Sequence, residues 1–276
     1  MDALAPKGPA PGEVWLVGAG PGGLDLLTVG ALLAIRGADC LIHDALVADD
    51  ILAEAPPEAE HIYAGKRGGK PSADQADILD TLIDRARAGR RVIRLKGGDP
   101  FIFGRGGEET QALHEAGVPV RILPGLTAGT VAASLSGFPL THRDVNASVG
   151  FITGHRADNA EGDGVDWAAA ARAFPVLVIY MAVRRLGAIC ERLRAAGRAP
   201  ETPVACVQWA GTEHQRTVYT DLARAPSEAT AAGLGAPAVV IVGEVVDLAP
   251  EALAERALHP AGDPLPGSTY LEAGGP

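Results

Sequence analysis

The chain is poor in sulfur, in aromatic residues and in positive charge. Of its 276 residues, three are cysteine, two are methionine and 4% are aromatic. Cys40, Cys190 and Cys206 are far apart and form no Cys-x-x-Cys or Cys/His spacing of the kind that holds a structural zinc. A disulfide scaffold is equally excluded, and a reducing compartment suits such a chain. Lys and Arg number 24 against 34 Asp and Glu, a formal charge of −10. A nucleic-acid partner would need a basic face, so none is expected. Long apolar runs are missing too. The longest, Val176 to Val183, is far too short to cross a bilayer. The first residues, MDALAPKGPAPGE, contain no apolar stretch of the signal-peptide kind. These absences lead to the expectation of a cytoplasmic protein with no metal and no membrane partner.

What the chain does have is 35 glycines, 21 prolines and a 47% hydrophobic content, enough for a large core. Short apolar runs of strand type occur at Val14–Val17, Cys40–His43, Val92–Leu95, Val120–Leu123, Val149–Thr153, Val176–Tyr180, Val204–Val207 and Val239–Val242. Helical patterns near 26–36, 73–88, 107–116, 127–136, 183–196 and 225–232 alternate with them, and Ser72–Gln75 carries a capping-box signature. Alternation of this kind predicts an α/β fold: two α/β domains with largely parallel central sheets. The expected divisions are a flexible tail at 1–12, an N-terminal domain at 13–143, a C-terminal domain at 147–250 and a second tail at 258–276. Glycines gather where strands end, at 18–23, 65–69, 97–98, 104–107, 125–129 and 154. Ligands of open α/β sheets bind outside the carboxyl ends of strands, so these loops are expected to face a ligand.

The first glycine loop has two readings. Strand 14–17, then Gly18-Ala19-Gly20-Pro21-Gly22-Gly23, then a helix, with Asp44 about 20 residues after the last glycine, fits a dinucleotide fingerprint and a flavin or nicotinamide oxidoreductase. The basic loops further on have no place in that reading.

An ordered set of motifs supports the other. It comprises G-A-G-P-G at 18–22, L-L-T at 26–28, H-D-A-L-V at 43–47, A-G-K-R-G-G-K at 64–70 and R-L-K-G-G-D-P-F-I-F-G-R-G-G-E-E at 94–109. P-G-L-T-A-G at 124–129, P-L-T-H-R at 139–143, T-G-H at 153–155, Y-M at 180–181 and A-P-A-V-V-I-V-G-E-V-V at 236–246 complete it. On these residues, from about Val14 to Leu248, the chain resembles the tetrapyrrole methylases. One departure stands out. The family usually carries Asp-Pro after G-x-G-P-G, whereas Gly23 and Leu24 stand here, and that change creates the apparent dinucleotide fingerprint.

The resemblance implies a two-domain fold with the active-site cleft between the domains, usually a homodimer, with S-adenosyl-L-methionine as methyl donor and S-adenosyl-L-homocysteine as product. Its implied reaction is C-methylation of uroporphyrinogen III at C2 and C7 to precorrin-2, for sirohaem and cobalamin biosynthesis. A later corrin precursor is the alternative substrate. No further dehydrogenase–chelatase module is expected in this chain. Matching positions assign Pro21, Gly97, Gly98, Asp99, Ile102, Thr127, Ala128, Met181, Ala210 and Ala238 to the donor. Asp44 matches the proton acceptor and Lys66 the proton donor; a helix cap is the competing role for Asp44. The substrate's eight carboxylates call for cations in glycine loops, and Lys66, Arg67, Lys70, Lys96, Arg105 and Arg143 are available, with His142 and Phe103 beside them. Methyl transfer from a sulfonium demands in-line positioning more than a metal or a covalent intermediate.

Overall fold

The computed structural model describes residues 7–65, 75–154 and 164–250, together with the backbone of 271–272. The chain divides into two compact units, Met1–Ala128 and Gly129–Pro276.

The first unit runs β1 (Val14–Gly18), α1 (Val29–Arg36), β2 (Cys40–His43), α2 (Asp49–Leu52), β3 (Glu60–Tyr63), α3 (Gln75–Arg87), β4 (Val92–Lys96), α4 (Gly106–Glu115) and β5 (Val120–Leu123). Its sheet has the order β3-β2-β4-β1-β5, and every pairing is parallel. The central strands β1 and β4 are buried along their whole length. That is the mark of a parallel sheet covered on both faces. Ala31, Ala34 and Ile35 of α1 pack on one face against Trp15, Val17, Leu41, Ile93 and Leu95. On the other face Ile78 and Leu82 of α3 and Leu113 of α4 meet Leu16, Ile42 and Val92. The hydroxyl of Thr28 caps α1 by accepting from the N–H of Ala31 at 3.1 Å. Because all five strands run the same way, the loops after β1, β2, β4 and β5 emerge at one edge of the sheet.

Two sequence expectations change in this unit. The polar edge strand β3 escaped the pattern reading, because Glu60-His61-Ile62-Tyr63 has no apolar run. Residues 7–12, expected as part of a loose tail, are tied down. The N–H of Lys7 donates to the carbonyl of Leu33 at 3.1 Å, and that of Gly12 to the carbonyl of Arg90 at 3.0 Å. Residues 1–6 lie outside the described residues, as do residues 72–74 of the capping-box signature.

The second unit contains nearly all of α5 (Ala128–Leu135), then β6 (Val149–Thr153), α6 (Trp167–Ala173), β7 (Val176–Tyr180), α7 (Leu186–Ala195), β8 (Pro203–Gln208), β9 (Arg216–Asp221), α8 (Ala225–Ala231), β10 (Ala238–Val242) and β11 (Leu271–Glu272). Its sheet has the order β11-β9-β8-β10-β7-β6. Only β6–β7 is parallel; β7–β10, β10–β8, β8–β9 and β9–β11 are antiparallel. The expectation of a largely parallel second sheet is therefore corrected. Its physical reason is twofold. The short turn at 209–215 makes β8 and β9 a hairpin, and β10 then inserts antiparallel between β7 and β8. Leu271–Glu272 pairs with β9, with Leu271 opposite Thr217, inside a segment expected to be a loose tail.

The division between units falls at Ala128/Gly129, ahead of the expected boundary at 143–147. The cause is the packing of α5 and the segment after it. The N–H of Gly129 donates to the Tyr180 hydroxyl at 2.9 Å, and the Tyr219 hydroxyl donates to the carbonyl of Ser136 at 2.6 Å. The hydroxyls of Ser136 and Thr217 lie 2.9 Å apart. Among the described residues no helix is long and apolar enough to cross a membrane.

All three thiols are free and buried. Burial raises them, Cys40 and Cys190 to about 11 and Cys206 to about 12, so at neutral pH they are protonated and poor nucleophiles. Folded protein should show no fast-reacting thiol toward a disulfide reagent, and denaturant should expose three. A thiol that reacts at once in the native state would contradict this packing.

Candidate active site

Glycines bring three strand-end loops of the first unit together. Gly18 ends β1, Gly98 follows β4 and Gly125 follows β5. A Cβ on Gly125 would lie 2.3 Å from the carbonyl oxygen of Gly98 and 2.8 Å from Cα of Gly18. No side chain fits there. Gly98 (φ 74°) donates its N–H to the carbonyl of Gly20 at 2.8 Å, and the reverse bond measures 3.2 Å. Asp99 completes the junction. Its Oδ1 accepts from the N–H of Phe101 at 2.8 Å and its Oδ2 from the N–H of Gly125 at 3.1 Å. The carboxylate therefore braces the loop after β4 against the loop after β5. Ile102 donates its N–H to the carbonyl of Asp99 at 3.3 Å. Gly97 approaches the loop after β2, where an added Cβ would lie 3.1 Å from Cβ of Leu46. Pro21, Gly97, Gly98, Asp99, Ile102 and Thr127, all expected at the donor, thus occupy the loops of one sheet edge, and Ala128, also expected there, begins α5 directly after the loop that follows β5. Backbone packed this closely keeps side chains out of the junction, which fits a polar small molecule held through backbone groups of these loops.

A chain of charges lies beneath these loops. On β4, Val92, Arg94 and Lys96 alternate with Ile93 and Leu95, and the strand's burial leaves Arg94 and Lys96 only 3% exposed at their side chains. Glu109, in the first turn of α4 and wholly buried, answers both. Nζ of Lys96 stands 3.0 Å from each of its oxygens, and Nε of Arg94 donates to Oε1 at 3.2 Å. Nη2 of Arg94 donates to Oδ1 of Asp44 at 2.5 Å. Burial, followed by the neighbouring Arg94, holds the Lys96 ammonium below the usual lysine range despite Glu109. Lys96 was expected among the cations facing substrate; the structure instead spends it inside the fold. Asp44 does not cap α2, whose N-cap Ala48 receives no side-chain bond. Its carboxylate is bound to Arg94 and remains partly exposed, at 32%. Beside it, His43 stacks edge-on with Tyr63 at 5.6 Å and with His61 at 6.4 Å, and burial lowers its affinity for a proton.

Among the described residues, four that are not glycine adopt left-handed backbone: Phe103 (φ 53°), Arg105 (φ 59°), Met181 (φ 55°) and Trp209 (φ 51°). Each costs about 1–2 kcal/mol, and such residues cluster at functional sites. Phe103 and Arg105 lie in the loop after β4, and both are exposed. Arg105 pairs with Glu108 at 2.7 Å. In the second unit, Met181 follows β7 and Trp209 follows β8. Ala238 begins β10 directly opposite Gln208, while its neighbour Val239 faces Tyr180. The N–H of Trp209 donates to the carbonyl of Pro237 at 3.1 Å. The register thus gathers Met181, Ala210 and Ala238 at one end of this sheet. His142 closes a turn in which its N–H donates to Oδ1 of Asn146 at 2.8 Å, and Arg143 next to it is exposed. Lys66, Arg67 and Lys70 lie outside the described residues.

Arg94, Glu109 and Trp209 received no role from sequence. A signal for the first two existed: cations at alternate positions of an otherwise apolar strand require a buried acid. Trp209 carried no such signal, because its left-handed backbone is not written in its identity.

Residues 13–226 match the family model of the Tetrapyrrole (Corrin/Porphyrin) Methylases, and the chain belongs to that family. It is 54% identical over 237 residues to a uroporphyrinogen-III C-methyltransferase of Sinorhizobium sp., covering 86% of this chain and 85% of that one. It is 47% identical to a siroheme synthase of Chromobacterium violaceum over 86% of its own length, but spans 50% of that protein. A uroporphyrin-III C-methyl transferase of Thermus thermophilus, solved in complex with S-adenyl homocysteine, superposes with a TM-score of 0.72 at 38% identity, covering 86% of this chain and 99% of that one.

The glycine junction supplies a direct test. Gly125→Ala forces a methyl group against two backbones and is expected to cost about 1–3 kcal/mol of stability. A urea midpoint unchanged from the parent protein would show that the loops are not held this tightly.

Proposed function

We propose that this protein is an S-adenosyl-L-methionine-dependent methyltransferase that methylates uroporphyrinogen III at C2 and C7, giving precorrin-2 for sirohaem and cobalamin biosynthesis. The observation that carries the reading is the 54% identity, over most of both chains, to a uroporphyrinogen-III C-methyltransferase. The partly exposed carboxylate of Asp44 at the sheet edge is consistent with it.

S-adenosyl-L-methionine supplies a methyl group activated on a sulfonium. The chain's own task is to hold that methyl group in line with a pyrrole carbon and to exclude competing geometries. In the first unit Pro21, Gly97, Gly98, Asp99, Ile102, Thr127 and Ala128 serve the donor through backbone groups and close approach. In the second unit Met181, Ala210 and Ala238 serve it, with Met181 held in its strained conformation. A ring carbon that gains a methyl group leaves a cationic ring, and charge balance requires loss of a proton. Asp44 accepts it, and Lys66 serves as the complementary proton donor. Phe103, Arg105, His142, Arg143, Arg67 and Lys70 bind the substrate, the cations by pairing with its carboxylates. The protein works in the cytoplasm as a homodimer, with a small tetrapyrrole as partner.

Anaerobic incubation with donor and uroporphyrinogen III should yield a product carrying two added methyl groups by mass. No product, or a product only from a later corrin precursor, would refute the substrate assignment. Asp44→Ala should lower turnover by about 10²–10⁴-fold while S-adenosyl-L-homocysteine still binds. Undiminished turnover would remove Asp44 from the role of base.

A further inference from the structure

Asp44 stands at the end of a strand, on a loop, with a partly exposed side chain. A carboxylate so placed has rotamer freedom, and a proton acceptor that wanders by an ångström loses much of its effect. Arg94 removes that freedom. Its guanidinium is fixed by three acceptors other than Asp44. Nε donates to Oε1 of Glu109 at 3.2 Å, and Nη1 to the carbonyls of Leu95 at 3.2 Å and Ile42 at 3.4 Å. Glu109 is in turn held by Lys96. The remaining arm, Nη2, meets Oδ1 of Asp44 at 2.5 Å and leaves Oδ2 outside that bond. The backbone is fixed as well, since the N–H of Asp44 donates to the carbonyl of Leu95 at 3.3 Å.

We infer that Arg94 is a positioning residue of the reaction: anchored by Glu109, it points one oxygen of Asp44 and presents the other to the substrate. The inference rests on the reading of Asp44 as the base. A guanidinium suits this task and an ammonium does not. A planar fork serves Glu109, two carbonyls and Asp44 at once, whereas lysine offers a single charged point on a flexible stem.

The test compares Arg94→Lys in two backgrounds, the parent protein and Asp44→Asn, by kcat, by KM for the donor and by affinity for S-adenosyl-L-homocysteine. In the parent background kcat should fall about 10–100-fold, with KM and affinity within about twofold. In the Asp44→Asn background the same change should alter the residual kcat by less than about twofold, because a residue that acts through Asp44 has nothing left to act on. A generally structural role would give the same loss in both backgrounds and lower the affinity too, and that result overturns the inference. Should Arg94→Lys not fold, Arg94→Gln, which keeps a donor and removes the buried charge, is compared in the same way. A crystal structure of the parent protein with the Asp44 carboxylate turned away from Arg94 also overturns it. Parent-like turnover by Asp44→Asn alone, seen without any change at Arg94, overturns the base reading and this inference together.

Discussion

An arginine and a lysine inside a central parallel strand must be given a carboxylate, and the first unit is arranged around that requirement. A buried ion without a partner costs several kcal/mol even after relaxation. Glu109 meets the need only because α4 begins close beneath the loop that follows β4. The start of that helix is unusually tight. The N–H of Gly106 donates to the carbonyl of Pro100 at 3.0 Å, and a Cβ at Gly106 would sit 2.4 Å from that oxygen. The left-handed turns at Phe103 and Arg105 make this entry possible. Backbone strain in the loop and the buried ion pairs are thus two sides of one arrangement: the loop bends so that the first turn of α4 lands on β4.

The glycine junction fixes the same loop from above. Asp99 braces it to the loop after β5, and Gly98 pairs with Gly20 after β1. The loop after β4 is therefore held by helix α4 below and by two neighbouring strand ends beside it. This explains how a segment rich in glycine stays ordered. Its glycines do not provide freedom; they permit backbones to approach within distances that any side chain would forbid. A rigid loop of this kind lowers the entropic cost of gripping a small molecule.

Much of this was legible in the sequence. The ordered motifs specify the family, and the apolar runs specify the parallel first sheet with its loops at one edge. The second sheet was not legible, because local alternation of strand and helix says nothing of a strand that inserts later. β10 follows β9 in the chain yet lies antiparallel between β7 and β8. β9 itself, Arg216-Thr-Val-Tyr-Thr-Asp, has too few apolar residues to stand out. The division at Ala128/Gly129 was hidden because α5 follows the first unit's motifs in sequence but bonds to Tyr180 through Gly129. The identities of Arg94 and Lys96 were plain; their exclusion from solvent was not, since R-L-K beside a glycine loop looks like a ligand-facing patch until α4 is seen to cover it.

That burial changes the meaning of the chain's basic residues. Lys96 and Arg94 are neutralised internally by Glu109 and Asp44. They contribute little net field to an incoming polyanion. Arg105 is different. Its pair with Glu108 is 2.7 Å long but lies in solvent, with both side chains more than half exposed. Exposed pairs of this kind contribute about 0–1 kcal/mol, whereas a hydrogen bond to a charged group in a drier setting contributes about 1.5–3 kcal/mol. A substrate carboxylate can therefore take Arg105 from Glu108 at small cost, yet cannot take Lys96 from Glu109. In a protein of formal charge −10, the cations available for recognition among the described residues are the weakly committed ones at loop surfaces, and the strongly committed ones shape the loops that carry them.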